Sequence, residues 1–194
     1  GNSGNNTLYG CEGNDILNGM AGADTMVGGL NDDTYYVDNV GDVVTENLDE
    51  GTDLVISKVT YTLSANVENL TLVGGAALNA TGNTGNNILT GNNGSNILDG
   101  GTGTDTLMGG MGNDTYIVDD TTDVVIENVN AGTDTVQASI TYSLGLYVEN
   151  LVLVGSAALN GTGNTQNNTL IGNSGNNILS GGAGTDRMIG GLGN

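Results

Sequence analysis

Gly100 to Ile117 reads GGTGTDTLM followed directly by GGMGNDTYI. Each nine-residue block has glycine at its first, second and fourth places, Asp at the sixth (Asp105, Asp114) and a large apolar residue at the eighth (Leu107, Tyr116). Glycines at this density let the backbone take positive φ and come close to a ligand, so carbonyl oxygens can turn inward on an ion. One carboxylate per turn adds charge, and an oxygen-only ligand set selects a hard cation such as calcium. The three residues after the Asp have room for one short strand with a single inward side chain. Turn and strand together predict half a coil of an all-β parallel β-roll, or β-solenoid.

Outward from this stretch the chain repeats itself. Asp33 aligns with Asp114, Tyr61 with Tyr142, Asn69 with Asn150 and Gly82 with Gly163, each pair 81 positions apart with no gap. The expected organisation is one continuous solenoid of 81-residue super-repeats: unit 1 over 1–81, unit 2 over 82–162 and a truncated unit 3 over 163–194. Each full unit opens with four nonapeptides, at 1–36 and 82–117, and the third set runs from Gly163 and is cut at Asn194. Neither end resembles a capping repeat, and the chain lacks an initial Met, so it is read as a window of something longer. The eighth-place residues Leu8, Leu17, Met26, Tyr35, Leu89, Leu98, Leu107, Tyr116, Leu170, Leu179 and Met188 are expected to form an inward ladder.

The remaining segments, 37–81 and 118–162, carry less glycine and longer β-prone runs such as Asp53-Leu-Val-Ile-Ser and Asn69-Leu-Thr-Leu-Val. They could be separate globular inserts or wider coils of the same solenoid. Each is as long as five nonapeptides, and Asp42 falls two nonapeptides after Asp24, which favours wider coils in continuous phase. No apolar stripe of helical period is present.

Composition narrows the function classes. The chain has 22 acidic residues against 2 basic ones, a net charge of −20, and therefore no basic patch for nucleic acid. Hydrophobic residues make up 37% and aromatics only 4%, which suits a thin core repeated many times better than one thick core. No run approaches the length of a membrane span, and the N-terminus is not a signal peptide. Cys11, the lone cysteine, replaces an Asn of the equivalent turns and is read as incidental.

If two nonapeptides complete one coil, every second turn stacks on the same side, and an ion between stacked turns draws carbonyls and a carboxylate from each. The expected pairs are Asp15 with Asp33, Asn6 with Asp24, Asn87 with Asp105, Asn96 with Asp114, and Asn168 with Asp186. Candidate metal-site residues are Asp15, Asp24, Asp33, Asp105, Asp114 and Asp186. The carbonyls come from Gly10, Gly13, Gly19, Gly22, Gly28, Gly29, Gly100, Gly101, Gly103, Gly109, Gly110, Gly112, Gly181, Gly182 and Gly184. Asp42 and Asp123 could extend the rows, though their turns lack the glycines. Asn87 and Asn96 offer an amide oxygen without charge, so their sites should be weaker, and stacked Asn could instead form hydrogen-bonded ladders that need no ion. The paired-Asp site of Asp15 and Asp33 is expected to be the strongest.

The GGxGxDxUx tandem, U being a large apolar residue, resembles the RTX family of calcium-binding nonapeptide repeats, and the resemblance extends over the whole chain. It implies a calcium β-roll with ions shared between stacked turns, in large bacterial proteins exported unfolded by type I secretion, including adhesins, toxins and exoenzymes. The 81-residue unit, with DTYYVDNVGDVV (Asp33–Val44) and NVENLTLVG (Asn66–Gly74), looks most like the arrays of large RTX surface proteins. On this view calcium is the cofactor, and the segment is a secreted or cell-surface adhesin, stalk or fibre element that folds on calcium after export.

Three other readings compete. Catalysis in this segment is disfavoured because His is absent and the only basic residues, Lys58 and Arg187, recur in no sister repeat. An activity on acidic polysaccharide lost in Lys58→Ala would support it. The chain could instead be the calcium-folding tail of an exoenzyme or toxin. Exposed strand edges also permit end-to-end or lateral self-association. Asn79-Ala-Thr and Asn160-Gly-Thr match the glycosylation pattern by chance.

Overall fold

The computed structural model describes residues 1–193; Asn194, the last residue of the third unit, lies outside the described residues. These residues form twenty-one short strands, from β1 (Thr7–Glu12) to β21 (Arg187–Ile189), and no helix. Strands pair in parallel with the strand two places on, so odd-numbered strands make one face and even-numbered strands the other. Two strands complete a coil, giving an all-parallel β-solenoid of about ten turns. At the usual strand spacing of about 4.8 Å this is a rod about 50 Å long. Each face is interrupted once, between β5 (Val43–Thr45) and β7 (Tyr61–Thr62) on one side and between β14 (Val124–Ile126) and β16 (Tyr142–Ser143) on the other.

In the glycine-rich sets each strand stacks on the one two nonapeptides further along, as in Thr7 with Thr25 and Ile88 with Thr106. Strand pairing runs on through the glycine-poor segment with altered steps. Thr34 pairs with Leu54, Leu54 with Asn69, and Asn69 with Ile88. Against a two-nonapeptide coil, the first of these steps is longer by two, the second shorter by three and the third longer by one. The differences cancel, so the next nonapeptide set re-enters in phase. The second unit repeats the same steps through Thr115, Thr135, Asn150 and Thr169.

One unit holds nine strands, an odd number, so equivalent residues of successive units fall on opposite faces. Asp33 precedes β4 (Thr34–Val37) on the even face; its counterpart Asp114 precedes β13 (Thr115–Val118) on the odd face.

Because alternate strand residues point to opposite sides, each three-residue strand sends one side chain inward. Leu17, Tyr35, Val55, Leu70, Leu89 and Leu107 align in register along the even face, and Ala80, Leu98, Tyr116, Val136, Leu151 and Leu170 along the odd face. All are buried. The ladder thins at the rod ends. Leu8 and Leu179 are only partly buried and Met188 is 52% exposed, each lying on a strand with a paired neighbour on one side only.

Candidate metal sites

The residue just before each strand sits at the mouth of the turn, and stacking lines these residues up along each edge of the rod. On one edge the backbone N–H of Asp15 donates to Oδ1 of Asp33 (2.7 Å), Asp33 to Asp53 (2.8 Å) and Asp53 to Glu68 Oε2 (2.8 Å). The row resumes with Asn87 donating to Asp105 (2.7 Å) and Asp105 to Asp123 (3.1 Å). The other edge carries Asn6 to Asp24 (2.7 Å) and Asp24 to Asp42 (2.9 Å). Further along come Asn96 to Asp114 (2.7 Å), Asp114 to Asp134 (2.8 Å), Asp134 to Glu149 (2.9 Å), and Asn168 to Asp186 (2.9 Å). The structure therefore brings together each of the sequence-predicted pairs.

Most of these carboxylates accept on one oxygen only, which leaves the other over. Oδ2 of Asp15, Asp24, Asp33, Asp53, Asp105, Asp114 and Asp134 is buried with no hydrogen-bond partner. A buried ionised oxygen without a partner is strongly disfavoured, and two basic residues cannot neutralise such rows.

Backbone oxygens face the same spaces. At Gly10, a Cβ would meet Asp15 Oδ2 and the Gly28 carbonyl oxygen, each at 2.6 Å. The same convergence recurs at Gly82 (Asn87 Oδ1 with the Gly100 carbonyl), at Gly91 (Asn96 Oδ1 with that of Gly109) and at Gly163 (Asn168 Oδ1 with that of Gly181). At Gly19, Gly100 and Gly181 the turn's own Asp crowds the position, through Asp24, Asp105 and Asp186. Oxygens from two turns thus meet beside the first glycine, a donor set that fits calcium.

The second and fourth places bend the chain around that point. Gly29, Gly101, Gly110 and Gly182, and Gly13, Gly22, Gly103, Gly112 and Gly184, all have positive φ. Cys11 (φ 87), Met20 (φ 64) and Asn31 (φ 82) hold the same conformation with side chains.

The Asn turns are built differently. Asn83 and Asn92, second in their blocks, stay out of the left-handed region and send their amides back to the preceding wide coil. Asn83 Nδ2 donates to the Ser64 and Val67 carbonyls (2.7 Å each), Asn92 Nδ2 to Ala76 (3.0 Å) and Asn96 Nδ2 to Leu78 (2.7 Å). Asn87 Nδ2 reaches the carbonyls of Val67 and Glu68 (3.2 Å each). Amide donors thus satisfy the carbonyls of the coil below, and the bonds run from side chain to backbone rather than along an Asn–Asn ladder.

Asp42 and Asp123 continue their rows but also close them. Asp42 Oδ2 accepts the N–H groups of Asp38 and Asn39 (3.1 Å each), and Asp123 Oδ2 those of Asp119 (3.3 Å) and Asp120 (3.1 Å).

Asp53, Glu68, Asp134 and Glu149 were not foreseen in the rows, because the lengthened and shortened steps of the wide coils break the nine-residue count that located the others. Glu46 and Glu127 were missed for another reason. Each stands two nonapeptides after a first-place glycine, Gly28 or Gly109, and so occupies a glycine place with a carboxylate. Their recurrence at the 81-residue shift was the available signal.

Crowding of buried acids raises their affinity for protons. Burial, with Asp53 adjacent, pushes Glu46 up to about 8. Burial likewise pushes Asp53, Asp114 and Asp134 up to about 6. Asp33, Asp105 and Glu127 are also raised, again chiefly by burial.

A helix-free parallel roll whose edges carry orphaned carboxylates beside glycine carbonyls defines a cation-binding repeat protein. The chain belongs to the RTX calcium-binding nonapeptide repeat family, whose profile matches residues 1–35, 81–116 and 162–194, just over half of its length. It is also 40% identical over 84 residues to an endo-1,3-1,4-beta-glycanase, ExsH, of Rhizobium meliloti, a match covering 43% of this chain and 18% of that protein. No solved structure matches the chain. No helix among the described residues is long and apolar enough to cross a membrane.

Proposed function

We propose that this chain is a structural segment of a large secreted bacterial protein of adhesin, stalk, fibre or surface-layer type, built from 81-residue modules and folded by calcium after export. The observation that carries this reading is the row of orphaned carboxylate oxygens beside glycine carbonyls, repeated along both edges. Without cations the rows repel and the glycine-rich turns are costly to order. With calcium at extracellular concentrations, binding free energy becomes folding free energy. The strongest nonapeptide site is that of Asp15 stacked on Asp33, the one predicted pair with a carboxylate at both stacked positions, where Asp15 Oδ2 meets the Gly28 carbonyl.

The identity shared with a glycanase favours a second reading, in which the roll is the calcium-dependent part of an exoenzyme whose catalytic domain lies elsewhere. Both readings assign the segment a structural role, so the isolated chain hydrolyses no β-glucan.

Small-angle scattering tests the folding step. The radius of gyration is expected to fall from about 47 Å in chelator, the value for an unfolded chain of this length, to about 16 Å in millimolar calcium. A compact rod in both conditions would overturn it.

A further inference from the structure

We propose that Asp33, Glu46 and Asp53, and in the next unit Asp114, Glu127 and Asp134, each form an enclosed calcium site distinct in build from the nonapeptide sites. In both groups one carboxylate oxygen from each residue lies within 4.8 Å of the others, and all six residues are buried. Calcium binds oxygens at about 2.3–2.6 Å, so oxygens on opposite sides of one ion stand about 5 Å apart and the observed spread is one that a single ion spans.

The carboxylates are aimed into the space, and only Glu127 among them has partners there, the Tyr116 hydroxyl and, at its Oε2, the Asn128 N–H (3.0 Å). Glu46 is 6% exposed and neither of its oxygens has a hydrogen-bond partner. Oδ2 of Asp33 and of Asp53 is likewise unpartnered, as are those of Asp114 and Asp134. Their Oδ1 atoms are used by backbone N–H groups of the stacked turns, which orient the free oxygens. Asp33 Oδ2, Glu46 Oε1 and the Tyr35 hydroxyl crowd one point beside Gly28. In the second unit the Tyr116 hydroxyl donates to Glu127 and accepts the Gly109 N–H at 2.8 Å.

The contrast with the nonapeptide sites explains the build. There, the turn above offers a glycine carbonyl; here, Glu46 and Glu127 replace that glycine and supply a full charge. Three carboxylates from two successive turns then bind one divalent ion where the glycine-rich cassette meets the wide coils. Because Asp33 and Asp114 lie on opposite faces, the two sites pin opposite edges of the rod.

The test counts ions by native mass spectrometry on the full chain in calcium, comparing wild type with the E46Q/E127Q double variant. A loss of two ions with the remainder retained is expected. An unchanged count overturns the proposal and leaves two proton-sharing acid clusters. If the nonapeptide reading is the one that fails, the wild type holds two ions and the variant none, so the two failures differ. Should E46Q/E127Q not fold, terbium decides: the sites place Tyr35 and Tyr116 against the ion, so tyrosine-sensitised terbium emission must drop in Y35F/Y116F. Emission equal to wild type overturns the proposal.

Discussion

Filling one first-place glycine should separate ion binding from backbone effects. A Cβ on Gly100 would collide with the Asp105 side chain, from Cβ to Oδ2, whereas a Cβ on Gly190, the same place in the last turn, meets nothing within 4 Å. Neither glycine has a positive φ, so alanine is conformationally allowed at both. Alanine then gains about 0.4–1 kcal/mol from the narrower unfolded chain. At Gly100 this is outweighed. A calcium site with a dissociation constant of about 0.1–1 mM contributes about 1.4–2.7 kcal/mol at about 10 mM calcium. Overpacking a tight site costs about 1–3 kcal/mol more. Gly100→Ala should therefore lose about 2–5 kcal/mol and at least one ion, while Gly190→Ala gains up to about 1 kcal/mol. Urea denaturation in calcium, with ion counting on the same samples, reads both. Equal stability and equal ion count in the two variants would refute the assignment of the glycine place as the ion's cradle.

Other perturbations act on separate parts of the rod. In chelator, the folded-state proton affinities of Glu46, Asp53, Asp114 and Asp134 lie above ordinary carboxylate values, so the folded chain binds more protons. The metal-free fold is then most stable below about pH 4 and loses stability as pH rises through about 6 and 8. A far-ultraviolet β signal in chelator that grows as pH rises over that range would contradict this. Leu107→Ala, fully buried on a strand paired on both sides, should cost about 2–5 kcal/mol by denaturation in calcium with no loss of ions. Asn92→Ala strips the amide from the Ala76 carbonyl and should cost about 1–3 kcal/mol, again at unchanged ion count. A lost ion in Asn92→Ala would mean that the Asn turn is itself a metal site.

The nonapeptide period carried the fold because it states both things a coil needs, a turn that can bend tightly and one inward side chain per strand. Leu98 and Leu107 could be placed in the core from their eighth-place positions alone. The pairing of Asp15 with Asp33 followed from a step of two nonapeptides. What the period could not reveal lies where the step changes. Asp53 and Glu68 enter the row because their strands stack at steps two residues longer and three residues shorter than two nonapeptides, which is visible once strands are paired. Glu46 was hidden because it holds a glycine's place. Ladders between stacked Asn side chains were one alternative open from the sequence; the amides of Asn83 and Asn92 instead face the wide coil beneath, whose carbonyls have no sequence signature. The exposure of Met188 reflects its place on an edge strand rather than its residue type.

On the proposed reading, calcium supplies the charge balance that two basic residues cannot give this fold. Far-ultraviolet circular dichroism of the chain at neutral pH, followed from chelator to about 10 mM calcium, tests it most directly. A disordered spectrum in chelator and a cooperative rise of β signal in the sub-millimolar to millimolar range are expected. An identical β spectrum at both ends of the titration would contradict it, and would mean that the carboxylate rows are held by protons and backbone donors alone.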